Sequence, residues 1–229
     1  MRIMATSDLH GNLEGLDPKG ADVVVIAGDI APLRGRGPWH LNDQRKWINK
    51  QFRNWTASFP DVRFVVIPGN HDFFPIAHLL YNDMGIDWDY GFSPNVNFLV
   101  DSAVEIDSVK FYGTPWVPII SYSWAFEEEP DNLTRRFSKI PAGLDVLVTH
   151  SPPHIPDNDV DRSLQTNSQH FGSAELTEAI LKKRPRFVFC GHIHTGLHGG
   201  VDLESSRIYN VSRLDEDYEI AYEPTWVEI

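Results

Sequence analysis

The sequence predicts an α/β fold with a mixed sheet. Continuous apolar runs alternate with helical patterns along much of the chain, and a region near the middle has short stretches of alternating apolar and polar residues. Continuous runs are typical of parallel strands covered on both faces, whereas alternation indicates antiparallel strands with one solvated face. The 229 residues contain no repeat and no linker-like segment, so we expect one domain over residues 1–229.

Five continuous apolar runs predict buried strands. They are rich in β-branched and aromatic residues, and each ends at a glycine or a polar residue that favours a turn. The order of these runs and the helical patterns between them indicates βαβ connections, which make neighbouring strands parallel. The five runs are residues 1–7, 23–27, 63–68, 145–149 and 186–190.

Helices are predicted between these strands. Apolar residues recur at helical spacing between Asn42 and Phe59, which indicates an amphipathic crossover helix. A shorter helix is expected from about Ile76 to Met84. A third helix is expected to begin near Ser173, because serine is a favourable residue at a helix N-cap.

The alternating stretches predict antiparallel strands. Residues 96–112 divide into three such stretches, which indicates a meander, and hairpin-like strands are expected around Arg207 to Asn210 and Tyr218 to Tyr222. The acidic residues 127–131 are interpreted as a solvated turn. The loop before them carries aromatic residues including Trp116, which either line a substrate cleft or pack under the loop.

A long segment without periodicity follows the fourth buried strand. Residues 151–172 contain several prolines and acids together with Arg162 and His170. A loop of roughly twenty residues inside a compact domain is usually functional or disordered. We interpret this segment as a flap over a site.

Charge and composition exclude some classes of function. The formal net charge of -12 argues against broad binding to nucleic acid or to anionic membranes, because both require a basic face. No apolar segment approaches the ~20 residues of a membrane span, and no signal peptide is visible. The single Cys190 lies in an apolar run and is interpreted as a core thiol. We therefore expect a cytoplasmic protein with no membrane partner.

Polar clusters follow all five buried strands. Each cluster alone also fits a turn that ends a strand, or a histidine that belongs to the core. In a mostly parallel sheet, however, the carboxyl ends of the strands lie on one edge, where the clusters would converge. Two carboxylates, one amide and several imidazoles suit Mn²⁺, Fe or Zn²⁺ better than Ca²⁺, and seven candidate ligands suffice for two ions. The clusters are Asp8-x-His10, Gly28-Asp29, Gly69-Asn70-His71-Asp72, His150 and Gly191-His192-x-His194.

The order of these five motifs resembles that of the calcineurin-like metallophosphoesterase superfamily. The resemblance spans Asp8 to His194 and implies a four-layer α/β/β/α sandwich with a dinuclear metal site at the carboxyl ends of the strands. One ion would be held by Asp8, His10 and His194, and the other by Asn70, His150 and His192, with Asp29 bridging them. Mn²⁺ is the favoured ion, with Fe, Zn or Ni as alternatives.

The resemblance also implies a reaction. A hydroxide shared by the two ions would attack a phosphodiester in line. His71 would protonate the leaving oxygen, and Asp72 would orient the His71 ring.

Further motifs are similar to those of the metallophosphoesterase-domain-containing group, which is related to class III cyclic nucleotide phosphodiesterases. This similarity makes Arg162, His170 and Trp116 candidate substrate contacts and small phosphoesters, nucleotides among them, candidate substrates. Gly28-Asp29 is not continued as in protein phosphatases, which argues against phosphoprotein substrates. A phosphomonoesterase, a nuclease and a metal-free scaffold remain alternatives. The motifs are Gly113-Thr114-Pro115-Trp116, His150-Ser151-Pro152-Pro153, Asp161-Arg162 and His170-Phe171-Gly172-Ser173.

Overall fold

The structure is a computed structural model that describes residues 1–33, 38–76, 90–156, 158–163 and 169–229. The strands of these residues are β1 (Arg2–Thr6), β2 (Val23–Ala27), β3 (Arg63–Ile67), β4 (Val96–Phe98), β5 (Ser102–Ile106), β6 (Val109–Thr114), β7 (Val117–Pro118), β8 (Glu127–Glu128), β9 (Val146–Thr149), β10 (Arg162–Ser163), β11 (Gln169–His170), β12 (Phe187–Cys190), β13 (Val201–Leu203), β14 (Ser206–Asn210) and β15 (Thr225–Glu228). The helical segments are a 3₁₀ turn (Pro38–His40), α1 (Leu41–Trp47), a π-helical turn (Ile48–Phe52), α2 (Arg53–Ala57), α3 (Pro130–Ser138) and α4 (Ala174–Lys183).

Two mixed sheets form the centre of the fold. The first has the strand order β15-β1-β2-β3-β4, in which β1 to β4 are parallel and β15 pairs with β1 in the antiparallel direction. The second has the order β13-β14-β12-β9-β6-β5, with parallel central pairs and antiparallel strands at both edges. The predicted mixed α/β class is confirmed.

The side chains of the buried strands point alternately to the two faces of each sheet and thereby contribute to three apolar layers. Val25 on β2 packs between the two sheets, together with Phe111 and Val148 of the second sheet. The next residue, Ile26, faces the opposite way and packs against Phe52 in the helical segment. Side chains two residues apart share a face, so each strand supplies both an inter-sheet and a sheet–helix layer.

The second sheet also carries helices on its outer face. Leu147 and Val188 pack there with Phe137 of α3 and Leu176 of α4. Helix, sheet, sheet and helix therefore follow in that order. This confirms the four-layer α/β/β/α sandwich that the family resemblance implies.

The helical crossover between β2 and β3 covers nearly the same residues as the predicted helix. The predicted helix between Asn42 and Phe59 appears as α1, a π-helical turn and α2, and it buries Ile48 and Phe52 completely. The predicted helix from about Ile76 to Met84 lies almost entirely outside the described residues. The helix predicted near Ser173 is α4, and the Ser173 hydroxyl accepts the N–H of Leu176, as expected of an N-cap.

Two expectations about irregular regions are wrong. The acidic stretch interpreted as a solvated turn contains β8 and the first turn of α3, where Pro130 takes the first helical position and Asp131 follows it. This is a favourable helix start, because proline lacks the N–H that would stay unpaired there and an acid faces the positive end of the dipole. The acidic composition therefore marked a helix N-terminus.

The predicted strand at Tyr218 to Tyr222 is the second error, because among the described residues its pairing is limited to one antiparallel bridge between Leu214 and Ile220. Tyr218 has a φ of 63°, and a turn is closed there by the hydrogen bond from the N–H of Asp215 to the carbonyl of Glu219. A left-handed residue cannot continue a strand. The closing strand is instead β15, which pairs with β1.

In the part of the chain that the structure describes, no helix is both long and apolar enough to span a bilayer.

Candidate active site

The polar residues that follow β1, β2, β3, β9 and β12 converge at the carboxyl edge of the two sheets. Oδ2 of Asp29 is at the centre, with Nε2 of His150 at 3.3 Å, Nε2 of His10 at 3.7 Å and Nε2 of His71 at 3.9 Å. Oδ1 of Asp8 lies 3.5 Å from Nε2 of His194. Residues from opposite ends of the sequence thus face a single small volume.

The predicted ligand sets are visible as neighbouring groups. Asp8, His10 and His194 each offer one ligand atom, and these atoms lie within 4.8 Å of one another. Nε2 of His150 is 2.9 Å from Oδ1 of Asn70, and the ring of His192 is centred 5.0 Å from that of His150. Asp29 lies between the two groups.

In His150 and His194, a hydrogen bond to a backbone carbonyl determines which ring nitrogen faces the centre of the site. Nδ1 of His150 lies 2.8 Å from the carbonyl oxygen of Ala27, and Nδ1 of His194 lies 2.8 Å from that of Asp215. A carbonyl oxygen only accepts hydrogen bonds, so Nδ1 carries the proton in both rings. Nε2 then has the free lone pair in the neutral ring, which is the usual arrangement for a histidine that binds a metal ion.

The backbone at the site adopts a conformation that the sequence did not indicate. The ligand candidates Asp8, His10, Asp29 and His192 have φ values of 54°, 43°, 50° and 71°. Such left-handed conformations are uncommon for residues with a side chain, and they cluster at functional sites because the surrounding fold must maintain them. Here each one turns the chain sharply after a strand and aims the side chain at the common volume.

The motif glycines are required by close packing behind the ligands. A Cβ on Gly69 would lie 2.2 Å from Oδ1 of Asp29, and one on Gly191 would lie 2.3 Å from Oδ2 of Asp8. A Cβ on Gly28 would lie 2.4 Å from Nδ1 of His150. Any larger residue at these positions would displace a candidate ligand, which gives the glycines of three motifs a physical reason.

The electrostatics of the site suit cations. Burial alone would raise the pKa values of Asp8 and Asp29, but the imidazoles beside them outweigh burial and hold both values below the ordinary range. Burial lowers the pKa of His10 to about 4 and that of His192 to about 3, so these rings are neutral at pH 7. Despite burial, the carboxylates of Asp29 and Asp8 raise the pKa values of His150 and His194 to about 9, so a metal ion that binds these two rings would displace a proton from each.

The ring nitrogens of His10 indicate that this site is suited to hold a metal ion. Both of these nitrogens are buried, and neither has a hydrogen-bond partner among the described residues. A buried polar atom without a partner is costly, and a metal ion bound at Nε2 would satisfy it. The donor set fits divalent transition metals, as expected from the sequence.

His71 lies at the open side of this cluster. Its ring packs against Trp124 at an interplanar angle of 38° with the centroids 4.2 Å apart, and it meets the His10 ring edge-on at 4.9 Å. Its backbone N–H donates to Oδ1 of Asp29 over 2.8 Å, while its Nδ1 has no hydrogen-bond partner among the described residues. The ring is thus held by packing beside the candidate metal ligands.

Asp72 has a different role from the expected one. Its carboxylate accepts the backbone N–H groups of Ile30, Ala31 and Gly69 over 2.8–3.0 Å, and Nδ1 of His71 has no hydrogen bond to it. Burial and the nearby charge of Asp29 raise the pKa of Asp72 to about 7. Asp72 joins the turn after β2 to the turn after β3 and does not orient His71.

Gln44 is a part of the site that sequence reasoning missed. This buried side chain on α1 donates to the carbonyl of His71 over 2.7 Å and accepts the N–H groups of Phe73 and Phe74 over 2.8 and 3.1 Å. The only available signal was a polar residue on the inner face of an amphipathic helix. Gln44 holds the turn that carries His71.

We expect Gln44→Ala to weaken this turn without removing any ligand. Loss of three buried hydrogen bonds leaves backbone groups unpaired, which should lower the free energy of unfolding by about 1–3 kcal/mol. Misplacement of His71 should lower kcat/KM about tenfold. Urea unfolding and steady-state kinetics measure both effects, with the exposed Gln51 changed to alanine as the control in the same helical segment. Equal behaviour of the two variants would contradict this role.

The three predicted substrate contacts lie away from the centre of the cleft. Trp116 is buried, its indole N–H donates to Asp101 over 2.9 Å, and the Arg136 guanidinium covers its ring at 3.6 Å. Arg162 pairs with Asp159 at 3.1 Å, and His170 pairs with Asp161 at 2.8 Å.

The cleft above the cluster has a volume of about 440 Å³. Trp124 provides an aromatic wall where the sequence had suggested Trp116. The described residues that line the cleft besides the ligand candidates and His71 are Leu33, Ile120, Trp124, Glu216 and Tyr218.

The stacked mixed sheets and the carboxylate, amide and imidazole groups at their strand ends define a metal-dependent phosphoester hydrolase. The chain belongs to the calcineurin-like phosphoesterase family, whose model matches residues 1–196. The resemblance inferred from the five motifs is thereby confirmed.

Named relatives agree with this family. A UPF0046 protein of Caenorhabditis elegans, C25E10.12, is 27% identical over 242 residues, covering 100% of this chain and 81% of the relative. The human metallophosphoesterase domain-containing protein 1 is 27% identical over 249 residues, covering 100% of this chain and 71% of the relative.

Solved structures share the fold. The protein TT1561 of Thermus thermophilus has a TM-score of 0.60 at 16% identity, covering 91% of this chain and 88% of its own. The phosphopantetheinyl hydrolase of Mycobacterium tuberculosis has a TM-score of 0.53 at 14% identity, with coverages of 92% and 88%. At these identities the similarity shows the fold alone.

Proposed function

We propose that this protein hydrolyses phosphodiester bonds of small substrates, nucleotides among them, with two divalent metal ions. The observation that carries the proposal is the position of Asp29, whose Oδ2 lies within 3.3–3.9 Å of three imidazole nitrogens that belong to different strand ends. A carboxylate so placed between two ligand groups suits a bridging role.

The remaining ligands divide on either side of Asp29. Asp8, His10 and His194 would hold one ion, and Asn70, His150 and His192 would hold the other. Mn²⁺ is the ion we propose for both positions, because mixed oxygen and imidazole sets suit it. When bound, such a pair of ions lowers the pKa of water and neutralises phosphoryl oxygens.

His71 is proposed to deliver the proton that the leaving oxygen needs. The ring lies within 4 Å of Asp29 Oδ2 and faces the cleft, so a phosphoryl group at the centre would be within its reach. Burial lowers the pKa of His71, and the negative charge of a bound phosphoryl group would favour its protonated form again. Packing against Trp124 limits the rotation of the ring.

The cleft favours diesters over monoesters. The described residues that line it include Glu216 and no lysine or arginine. A monoester dianion carries more charge into this acidic surrounding than a diester monoanion does, so it depends more on side-chain cations. Trp124 and Tyr218 offer apolar surface for the organic part of a small substrate, as is common in ligand pockets.

A substrate panel tests the proposal. We expect the Mn²⁺-loaded protein to turn over bis-p-nitrophenyl phosphate with a higher kcat/KM than p-nitrophenyl phosphate. Cyclic 2′,3′- and 3′,5′-nucleotides in the same panel test whether cyclic nucleotides are the preferred class of substrate. A higher kcat/KM for the monoester would identify a phosphomonoesterase, and no turnover of any ester by metal-loaded protein would contradict catalysis.

Metal removal is expected to abolish this activity. After dialysis against EDTA the protein should be inactive, and Mn²⁺ should restore it, whereas Ca²⁺ should restore less because it prefers all-oxygen ligands. Circular dichroism of the dialysed protein checks that the fold remains. Undiminished hydrolysis after exhaustive dialysis would refute metal dependence.

A further inference from the structure

A second group of possible metal ligands lies in the segment that follows β9. Nδ1 of His154 is 2.9 Å from Oδ2 of Asp161, and Nδ1 of His170 is 2.8 Å from Oδ1 of the same carboxylate. Each of the three residues offers one ligand atom, and these atoms lie within 4.8 Å of one another. None of the three is among the described residues that line the cleft.

The surrounding backbone builds this arrangement. His170 on β11 is paired with Arg162 on β10, which brings His170 next to Asp161. The N–H of His154 donates to the carbonyl of Ser173 over 3.1 Å, which closes the base of the segment. The three side chains are therefore brought together by strand pairing and a closed loop base.

Gly172 completes the arrangement behind the carboxylate. Its N–H donates to Oδ2 of Asp161 over 3.0 Å, and a Cβ in its place would lie 2.6 Å both from that oxygen and from the backbone nitrogen of His154. The absence of a side chain at Gly172 thus permits the close approach of Asp161 and His154.

Among the described residues, the two imidazoles are the only side chains that could pair with Asp161 as cations. The Asp161 side chain is completely buried, and among the described residues no lysine or arginine nitrogen lies within 4 Å of it. The guanidinium of the neighbouring Arg162 pairs with Asp159 instead. A buried carboxylate is costly unless it is paired with a cation or coordinates a metal ion.

The histidines lie on the exposed side of this group. The side chains of His154 and His170 are 39% and 34% exposed, so the cluster borders on solvent. Ligand bonds of about 2.0–2.1 Å in a tetrahedral site require ligand atoms about 3.3 Å apart. Nδ1 of His170 lies 2.8 Å from Oδ1 of Asp161 and Nδ1 of His154 lies 2.9 Å from Oδ2, so both rings would swing outward slightly when an ion binds between them and the carboxylate.

We propose that His154, Asp161 and His170 bind one further transition-metal ion, of the Zn²⁺ class, outside the catalytic cluster. Three protein ligands leave a fourth position for water, as in other open sites. The ion would tie His154, Asp161 and His170 together. The hydroxyl of Ser163, two residues after Asp161, donates to Glu216 of the cleft over 3.5 Å, so the ion would also connect this site with the cleft.

The test is the number of Zn²⁺ ions bound by the full chain. Metal-free protein is dialysed to equilibrium against Zn²⁺, and bound metal is measured by mass spectrometry for the wild type, for the double variant His154→Asn with His170→Asn, and for each single variant. His40→Asn is the matched control, because it also removes one histidine but lies at the 3₁₀ turn before α1. We expect the double variant to bind one equivalent fewer than the wild type and than His40→Asn.

Equal metal content of the wild type and the double variant would overturn the proposal. If the double variant does not fold, the single variants decide, since each should bind the extra ion at least tenfold more weakly than the wild type does. Phosphodiesterase activity of the same samples reports on the catalytic centre separately. If the wild type has no activity but binds one equivalent of Zn²⁺ more than the double variant does, the proposed function is refuted and this site is supported.

Discussion

Replacement of Asp29 by asparagine is expected to abolish most of the activity. The change keeps the size of the side chain and an oxygen that can accept the N–H of His71, but it removes the charge that lies nearest to three imidazoles. A carboxylate between two ions contributes to the affinity of both. A loss of several kcal/mol of stabilisation corresponds to a fall in kcat/KM on the order of 10³-fold.

Asp22 provides a matched control for this experiment. It lies immediately before β2, whereas Asp29 follows the same strand, so the two acids are at opposite ends of one element. Asp22→Asn should leave kcat/KM and metal content unchanged, because the carboxylate of Asp22 accepts the N–H of Arg2 near the surface, at the end of β2 that is remote from the site.

Metal analysis makes the Asp29 prediction specific. Asp29→Asn should bind both ions more weakly than the wild type, since the lost charge served both positions. Retention of activity within a few-fold of wild type, or of both ions at unchanged affinity, would exclude a bridging role for Asp29.

Much of the fold was predictable because burial dominates its sequence pattern. The strands from Val23 and Arg63 are apolar on both faces, and the structure shows why: one face meets the other sheet and the other face meets the helices. The four layers followed from the family resemblance. Pattern alone does not reveal whether apolar runs form one sheet or two stacked sheets.

Local errors arose where two physical effects compete. The residues after Glu127 are acidic enough for a solvated turn, but Leu133 and Phe137 bury one face of α3 and stabilise the helix. Around Tyr218 the alternation suggests a strand, but a left-handed residue turns the chain there. In both cases the tertiary structure overrides the local pattern.

The sequence predicted which residues form the site better than it predicted the contacts that hold those residues in place. Strand ends identified the residues that converge, because polar groups after buried parallel strands share one edge. The sequence did not show the left-handed backbone of Asp8 and Asp29, the contacts of Asp72 with backbone N–H groups or the clamp made by Gln44. These features depend on how separate loops meet, and single-sequence patterns do not contain that information.

The proposed role of His71 leads to a prediction about leaving groups. His71→Ala should keep the metal ions, because His71 is not among the seven proposed ligands and its ring packs against Trp124. What it removes is proton delivery, which is typically worth about 10²–10⁴-fold in rate. The loss should therefore be large for a leaving oxygen that needs a proton and small for one that departs as an anion.

Two substrates of different leaving-group basicity distinguish these cases. The alkoxide released from a cyclic nucleotide is strongly basic and should show the full loss, whereas p-nitrophenolate from bis-p-nitrophenyl phosphate is weakly basic and should show much less. If the His71 ring only supported the turn by packing against Trp124, both substrates would lose equally, because misplaced metal ligands affect every ester. Measurement of kcat/KM for both substrates, with metal content determined on the same protein and His40→Asn as the control, separates the two roles. Equal losses at full metal occupancy would show that His71 is not the general acid.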